Sequence, residues 1–258
     1  MIFFCIKKWF YTLWDNLYSA FLLNLVASVF LFIPVALYYF VQGINPYSHL
    51  FLVFLGMLPF GLFLAVAARF ARDFENPGSI SFKQSGAYLK EGFQGGITLV
   101  ALNISIAFVL FFALPYYYAQ NSIPGTIGFV VATLIAILTL LMNQYATALH
   151  VMYQPRMLKS IRKSLRVALD NPGFTLGMVV VSAVILAVSL LTLTFFPGII
   201  GLLLWYHIAF NTRMLKYEYL EVNPDMRGKP IPWNELLKEE RENLEKTSLR
   251  DLIFPAKK

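Results

Sequence analysis

Five apolar runs govern what this chain can fold into. Residues 17–42, 50–68, 97–117, 127–150 and 174–195 contain no Asp, Glu, Lys or Arg. A helix crosses the hydrocarbon core of a bilayer with about 20 mainly apolar residues, so each run predicts a transmembrane helix. The composition agrees: 58% of the residues are hydrophobic and 14% charged, and the mean hydropathy is +0.64. Soluble domains carry about 25% charged and about 45–50% apolar residues, so a soluble globular fold is excluded. The fold class expected is all-α, a polytopic membrane protein.

A sixth run, 198–211, is shorter. It follows Phe196-Pro197-Gly198, which predicts a tight turn, and carries Trp205, Tyr206 and His207 before Arg213. It is read as a sixth span; a re-entrant hairpin made by the last two runs is the alternative. Basic residues flank the runs at Lys7 and Lys8, at Arg69, Arg72, Lys83 and Lys90, at Arg156, Lys159, Arg162, Lys163 and Arg166, and from Arg213 onward. Loops 43–49 and 118–125 and the Pro197-Gly198 turn carry no charge. With six spans every basic residue falls on one side, and the positive-inside rule makes that side cytoplasmic. The topology expected is multi-pass in a bacterial inner membrane, with both termini cytoplasmic. Lys7 and Lys8 follow an apolar stretch and no small-residue cleavage site comes after it, so the first run is read as a retained anchor. Cys5 is the one cysteine, which excludes an intrachain disulfide and a cysteine metal cluster. It reads as a small apolar residue near the membrane surface, with acylation as the sharper alternative.

The runs also repeat. Lys8, Lys83 and Lys159 recur at intervals of 75 and 76 residues, and Leu13, Leu89 and Leu165 at 76 and 76. Three pseudo-repeated helical hairpins are expected, each a short interfacial elbow helix, a break, a span, an external turn and a returning span. The third elbow is the plainest. Leu158, Ile161, Leu165 and Leu169 follow helical spacing, with Arg156, Lys159, Arg162, Lys163 and Arg166 between them. Such a basic amphipathic helix is read as an elbow at the inner leaflet that orients the following span, with contact of its cations to anionic lipid as the sharper alternative. Trp9, Phe10, Leu13 and Trp14 suggest the first elbow, and Tyr88, Leu89 and Phe93 the second.

These segments carry a resemblance. Trp14-Asp15-Asn16-Leu17 leading to Leu23-Asn24-Leu25 and Ile33-Pro34 form its first stretch. Phe82 through Phe93 followed by Gly95-Gly96-Ile97-Thr98 and Leu102-Asn103, and Leu165 to Leu176 including Ala168-Leu169-Asp170-Asn171-Pro172 and Thr175-Leu176, form the others. Over roughly residues 10–215 the chain resembles the YesL-like bacterial membrane proteins (domain of unknown function 624). The motifs are soft hydrophobic patterns, and the tail after about Tyr219 lies outside the match. The resemblance implies a possible accessory role beside carbohydrate ABC importers and brings no catalytic or binding residues with it.

Several chemistries are disfavoured. The runs hold no ionisable Asp, Glu, Lys or Arg of the kind that marks proton relays and voltage sensors. Neither H-E-x-x-H nor G-x-x-x-x-G-K-[ST] occurs. The three histidines, His49, His150 and His207, are not at ligand spacing and read as structural. No enzyme activity, cofactor, metal site or nucleic-acid partner is expected. One polar face stands out: Asn143, Thr147 and His150 share a side of the fourth run, and Asn103 and Asn24 can face the same centre. It reads as interhelical hydrogen bonding or as a polar pocket for a neutral solute or lipid headgroup.

The division expected is a six-span membrane domain over 1–216 and a charged, partly helical cytoplasmic tail over 217–258. The tail holds eight basic and nine acidic residues. Trp233, Leu236, Leu237 and Leu244 give it a partial apolar face, which suits either packing under its own bundle or docking to a partner. The function expected is a non-enzymatic accessory or scaffold protein with membrane lipids and a protein partner or a second copy as its contacts. A transporter or channel for a neutral or amphiphilic solute is the alternative.

Overall fold

The computed structural model describes residues 1–40, 46–76 and 80–246. Residues 43–45 of the first expected external loop and 247–258 of the tail lie outside the described residues. All regular elements among the described residues are helices. They run α1 (Ile2–Asp15), α2 (Leu17–Phe40), α3 (Pro46–Asp73), α4 (Ser85–Phe108), α5 (Leu114–Ala119), α6 (Ile123–Tyr153), α7 (Met157–Asp170), α8 (Pro172–Leu191), α9 (Gly198–Val222), α10 (Trp233–Leu236) and α11 (Lys238–Lys246). A π-helical turn at Val109–Ala113 joins α4 to α5, so they form one continuous rod. Five helical stretches are long and apolar enough to cross a membrane: Leu17–Leu37, Leu55–Asp73, Phe82–Ala119, Ile123–Tyr153 and Pro172–Leu191.

Local chemistry sets the helix ends. Ser122 caps α6 by accepting from the Gly125 N–H at 3.1 Å, and Pro124 occupies the first turn, where its missing N–H costs nothing. Gln154 ends α6 in the left-handed conformation, its N–H returning to the His150 carbonyl at 3.3 Å. Tyr88 donates to Asp73 and so ties the start of α4 to the end of α3.

α9 is the axis of the bundle. It touches α1, α2, α3, α6 and α8, and Leu204, Trp205, Ile208, Ala209 and Phe210 are fully buried along it. This explains why α9 is less apolar than the five stretches above. A helix surrounded by protein is not selected for lipid contact, and polar groups on it can take protein partners. The Trp205 indole donates toward the Met178 carbonyl at 3.4 Å, and Thr212 donates to the Ile208 carbonyl at 2.8 Å.

The turn between α8 and α9 docks against α2. Asn24 Nδ2 donates to the Pro197 carbonyl at 2.8 Å and the Phe195 carbonyl at 3.1 Å, while its Oδ1 accepts from the Ile200 N–H at 2.9 Å. Gly198 adopts φ +63, and a Cβ there would stand 2.4 Å from the Asn24 amide, so glycine is required on both counts. Ser28 and Thr194 join their hydroxyls at 2.8 Å beside it.

The elbows differ from one another. α1 and α7 are separate helices that end in Asp15-Asn16 and Asp170-Asn171. Each asparagine returns its Nδ2 to the carbonyl four residues back, Asn16 to Thr12 at 2.9 Å and Asn171 to Val167 at 3.0 Å. The second unit shows no such break. Gln94-Gly95-Gly96 stays helical inside α4. There the glycines serve a close crossing: a Cβ at Gly61 would meet Val100 Cγ2 at 2.0 Å, and one at Gly96 would meet Leu62 Cδ2 at 2.8 Å. Packing of α3 on α4 offsets the roughly 1 kcal/mol that each glycine costs a helix.

α1 packs into the bundle along α9. Trp9 Nε1 donates to the Gly201 carbonyl at 2.7 Å, Cys5 Sγ lies 3.5 Å from Thr212 Oγ1, and both Cys5 and Leu13 are fully buried. α7 packs on α6, buries Ser160, Ser164, Val167 and Ala168, and leaves Leu158 and Leu169 exposed. The residue 216/217 boundary falls inside α9. Beyond it Leu237 is fully buried, Trp233 and Leu244 pack on the same core, and Glu240 pairs with Lys8 at 3.1 Å.

Candidate functional site

The end of α3, the start of α4 and the end of α6 enclose a polar recess of about 380 Å³. Arg69, Lys90, Glu91, Gln94, His150 and Gln154 line it, with Phe93 and Gly95 completing the wall. Arg69 is 1% exposed. Its Nη1 donates to the Ala65 carbonyl at a long 3.3 Å, and its Nε lies 3.5 Å from Glu91 Oε2 without hydrogen-bond alignment. Two glycines make room for these side chains. A Cβ on Gly92 would stand 2.8 Å from Arg69 Nη1, and one on Gly95 would stand 3.1 Å from His150 Cβ.

A polar column continues from the recess along α6. His150 Nε2, Thr147 Oγ1, Gln144 Oε1 and Asn143 Oδ1 are buried with no hydrogen-bond partner among the described residues. Buried polar atoms are paired in more than about 90% of cases; α9 carries a comparable set at His207 Nδ1, Asn211 Oδ1 and Arg213 Nε. Asn143 Nδ2 donates to Asn103 Oδ1 at 3.2 Å, which links α6 to α4.

The residues expected to form one polar face thus separate. Asn103 and Asn143 pair, and Thr147 and His150 lie on the same buried side of α6. Asn24 is engaged with the α8–α9 turn instead. Arg156 at the start of α7 and Lys159, Arg162, Lys163 and Arg166 on it are exposed and border a shallow groove of about 700 Å³ with Met157 and Leu158. Lys163 Nζ stands 5.5 Å from the Tyr153 ring centroid, so this basic arc adjoins the end of α6.

A second charged cluster sits under α1. Glu75 Oε1 pairs with Lys8 Nζ at 2.9 Å, and its Oε2 meets His207 Nε2 at 3.2 Å and Asn211 Nδ2 at 3.0 Å. Burial would raise the Glu75 carboxyl, but the His207 hydrogen bond and the Lys8 charge outweigh it and hold it at about 2. This cluster joins α1, the end of α3, α9 and, through Glu240, α11; the Glu75 carboxylate bridges Lys8, His207 and Asn211, which suits a clamp, while His207 Nδ1 and Asn211 Oδ1 stay without a hydrogen-bond partner among the described residues. No group of three or more His, Cys, Asp or Glu side chains among the described residues is placed to hold a metal ion.

Sequence reasoning passed over Arg69, Lys90, Gln94 and Gln154 as site residues. The signal for them was present: Arg69 is the first charge after run 50–68, and Gly92, Gly95 and Gly96 inside a helical pattern indicate close approach of something bulky. No family model, curated protein or solved structure matches the chain.

Proposed function

We propose that this chain is a non-enzymatic accessory or scaffold protein of the bacterial inner membrane, with six spans and both termini cytoplasmic. The observation that carries the reading is the filled centre of the bundle. α9 lies among five other helices, and Ile200, Leu204, Trp205, Ile208 and Phe210 occupy the axis as fully buried side chains. Solute passage through the middle requires these groups to move, whereas a rigid platform for other subunits uses them as they stand. The resemblance to YesL-like proteins suggests a carbohydrate ABC importer as the system served.

One observation favours transport of a neutral or amphiphilic solute as a second reading: the polar column from His150 to Asn143. In-cell crosslinking followed by purification of the full-length chain separates the two. The expected result is a stoichiometric transporter subunit crosslinked to it. Solute flux through vesicles holding the purified chain alone, abolished by Asn143→Leu, overturns the accessory role.

A further inference from the structure

We propose that the recess between α3, α4 and α6 binds a phosphate-class oxyanion, carried by a lipid headgroup or by a soluble phosphate, with Arg69 as its main donor and Lys90 as its rim charge. The Arg69 guanidinium sets the chemistry of the recess. It carries five N–H donors and stays protonated, yet among the described residues its side chain makes one long hydrogen bond, to the carbonyl of its own helix. A buried charge left so poorly paired is costly, and the cost is removed by an anion that fits the fork. Glu91 is only a partial answer. Its side chain is 52% exposed, and its oxygen stands at 3.5 Å with no hydrogen bond to the buried Nε.

The surroundings suit an oxyanion with several acceptor oxygens. Lys90 supplies a second cation, Gln94 an amide, and His150 a buried ring nitrogen without a partner among the described residues. The space, about 380 Å³, lies at the small end of the range for ligand sites. Gly92 and Gly95 hold the cradle open at positions where a side chain would displace Arg69 and His150. The recess sits where α3 and α6 end and α4 begins, next to the basic arc of α7, so it lies in a positive field at the level expected for lipid headgroups. Phe93 on its wall is half exposed, which gives an acyl-bearing ligand an apolar edge.

The test is titration of the full-length protein in detergent, read as a saturable thermal shift. The probes are inorganic phosphate, short-chain phosphatidic acid, and phosphatidylcholine of the same chain length as the net-neutral control. Saturation by phosphatidic acid alone identifies a headgroup site; saturation by inorganic phosphate as well identifies a site for phosphate itself. Arg69→Gln is expected to abolish the shift. Because a buried substitution can harm folding, the decisive variants are on the exposed rim. Lys90→Gln is expected to weaken affinity about threefold or more and Glu91→Gln to tighten it by a similar factor, as single partly solvated charges do. Arg166→Gln, on α7, is the control for general charge. The proposal is overturned if neither phosphate probe saturates, if the Lys90 and Glu91 substitutions do not shift affinity in opposite directions, or if Arg166→Gln costs as much as Lys90→Gln.

Discussion

Asn24 uses both ends of its amide on one turn, and Gly198 leaves the space that allows it. Asn24→Ala removes three hydrogen bonds and strands the Ile200 N–H, a loss of about 2–4 kcal/mol at about 1 kcal/mol or more per bond. Gly198→Ala places a methyl group on the same amide at positive φ and is expected to cost about as much. Because both act on one contact, the double variant should be less destabilised than the sum of the two, as measured by unfolding in detergent. Glu75 makes a pH prediction. Its carboxyl is held at about 2 against an ordinary 4.5, so the stabilisation is complete above about 4.5 and is lost as the pH falls toward 2. The contribution is on the order of 3 kcal/mol, shared with the Lys8, His207 and Asn211 groups that face it. Glu75→Gln should flatten the stability profile across that acid window and lower stability at neutral pH; an unchanged acid limb counts against the clamp.

At the scale of elements, α7 shows how one helix serves two surfaces. Ser160, Ser164 and Ala168 recur every four residues on the buried face of α7, which packs mainly on α6, and small residues there permit close approach as they do between membrane helices. Leu158 is 75% exposed and stands with the arginines and lysines on the outer side. Ser164→Leu is therefore expected to overpack the α6–α7 contact at a cost of about 1–3 kcal/mol in detergent. Leu158→Ser should leave that stability unchanged and reduce retention in bilayers instead. Equal effects of the two in detergent unfolding would mean that α7 does not divide its faces this way. The hydrophobic spacing of α7 was legible in the sequence as an amphipathic helix. The serine face was not, because a small polar residue reads as solvent-facing until a neighbouring backbone is known to lie against it. α4 teaches the same lesson. Gln94-Gly95-Gly96 has the composition of a break, and only the crossing with α3 explains why the helix continues.

For the whole molecule, the proposed six-span topology makes a clear labelling prediction. Native Cys5 is fully buried, and burial pushes its thiol pKa up, so it should stay silent toward maleimides in the folded protein. Cysteines introduced at Asn121 and at exposed Leu193 should both react with an impermeant reagent from outside the cell. Labelling at 121 without labelling at 193 would replace the sixth span by a re-entrant α8–α9 hairpin, an arrangement to which the anchoring of the turn at Asn24, only two turns into α2, draws attention.

Helix class and the five long apolar stretches follow from the sequence alone, because the length and polarity of a segment suffice to say whether it suits hydrocarbon. The basic clusters follow as well, since charge is written in the residues themselves. The choice of partner for each side chain needed the tertiary structure. α9 is central although it is less apolar than its neighbours, because contact with protein imposes no demand for lipid solubility. Asn24 leaves the company of Asn103 and Asn143 because the α8–α9 turn offers it three backbone groups at once. Trp233, Leu237 and Leu244 turn a charged tail back onto the core, a destination that their spacing alone does not reveal. Arg69, which in sequence merely marks the end of an apolar run, becomes a buried cation facing a recess because α4 and α6 close over it.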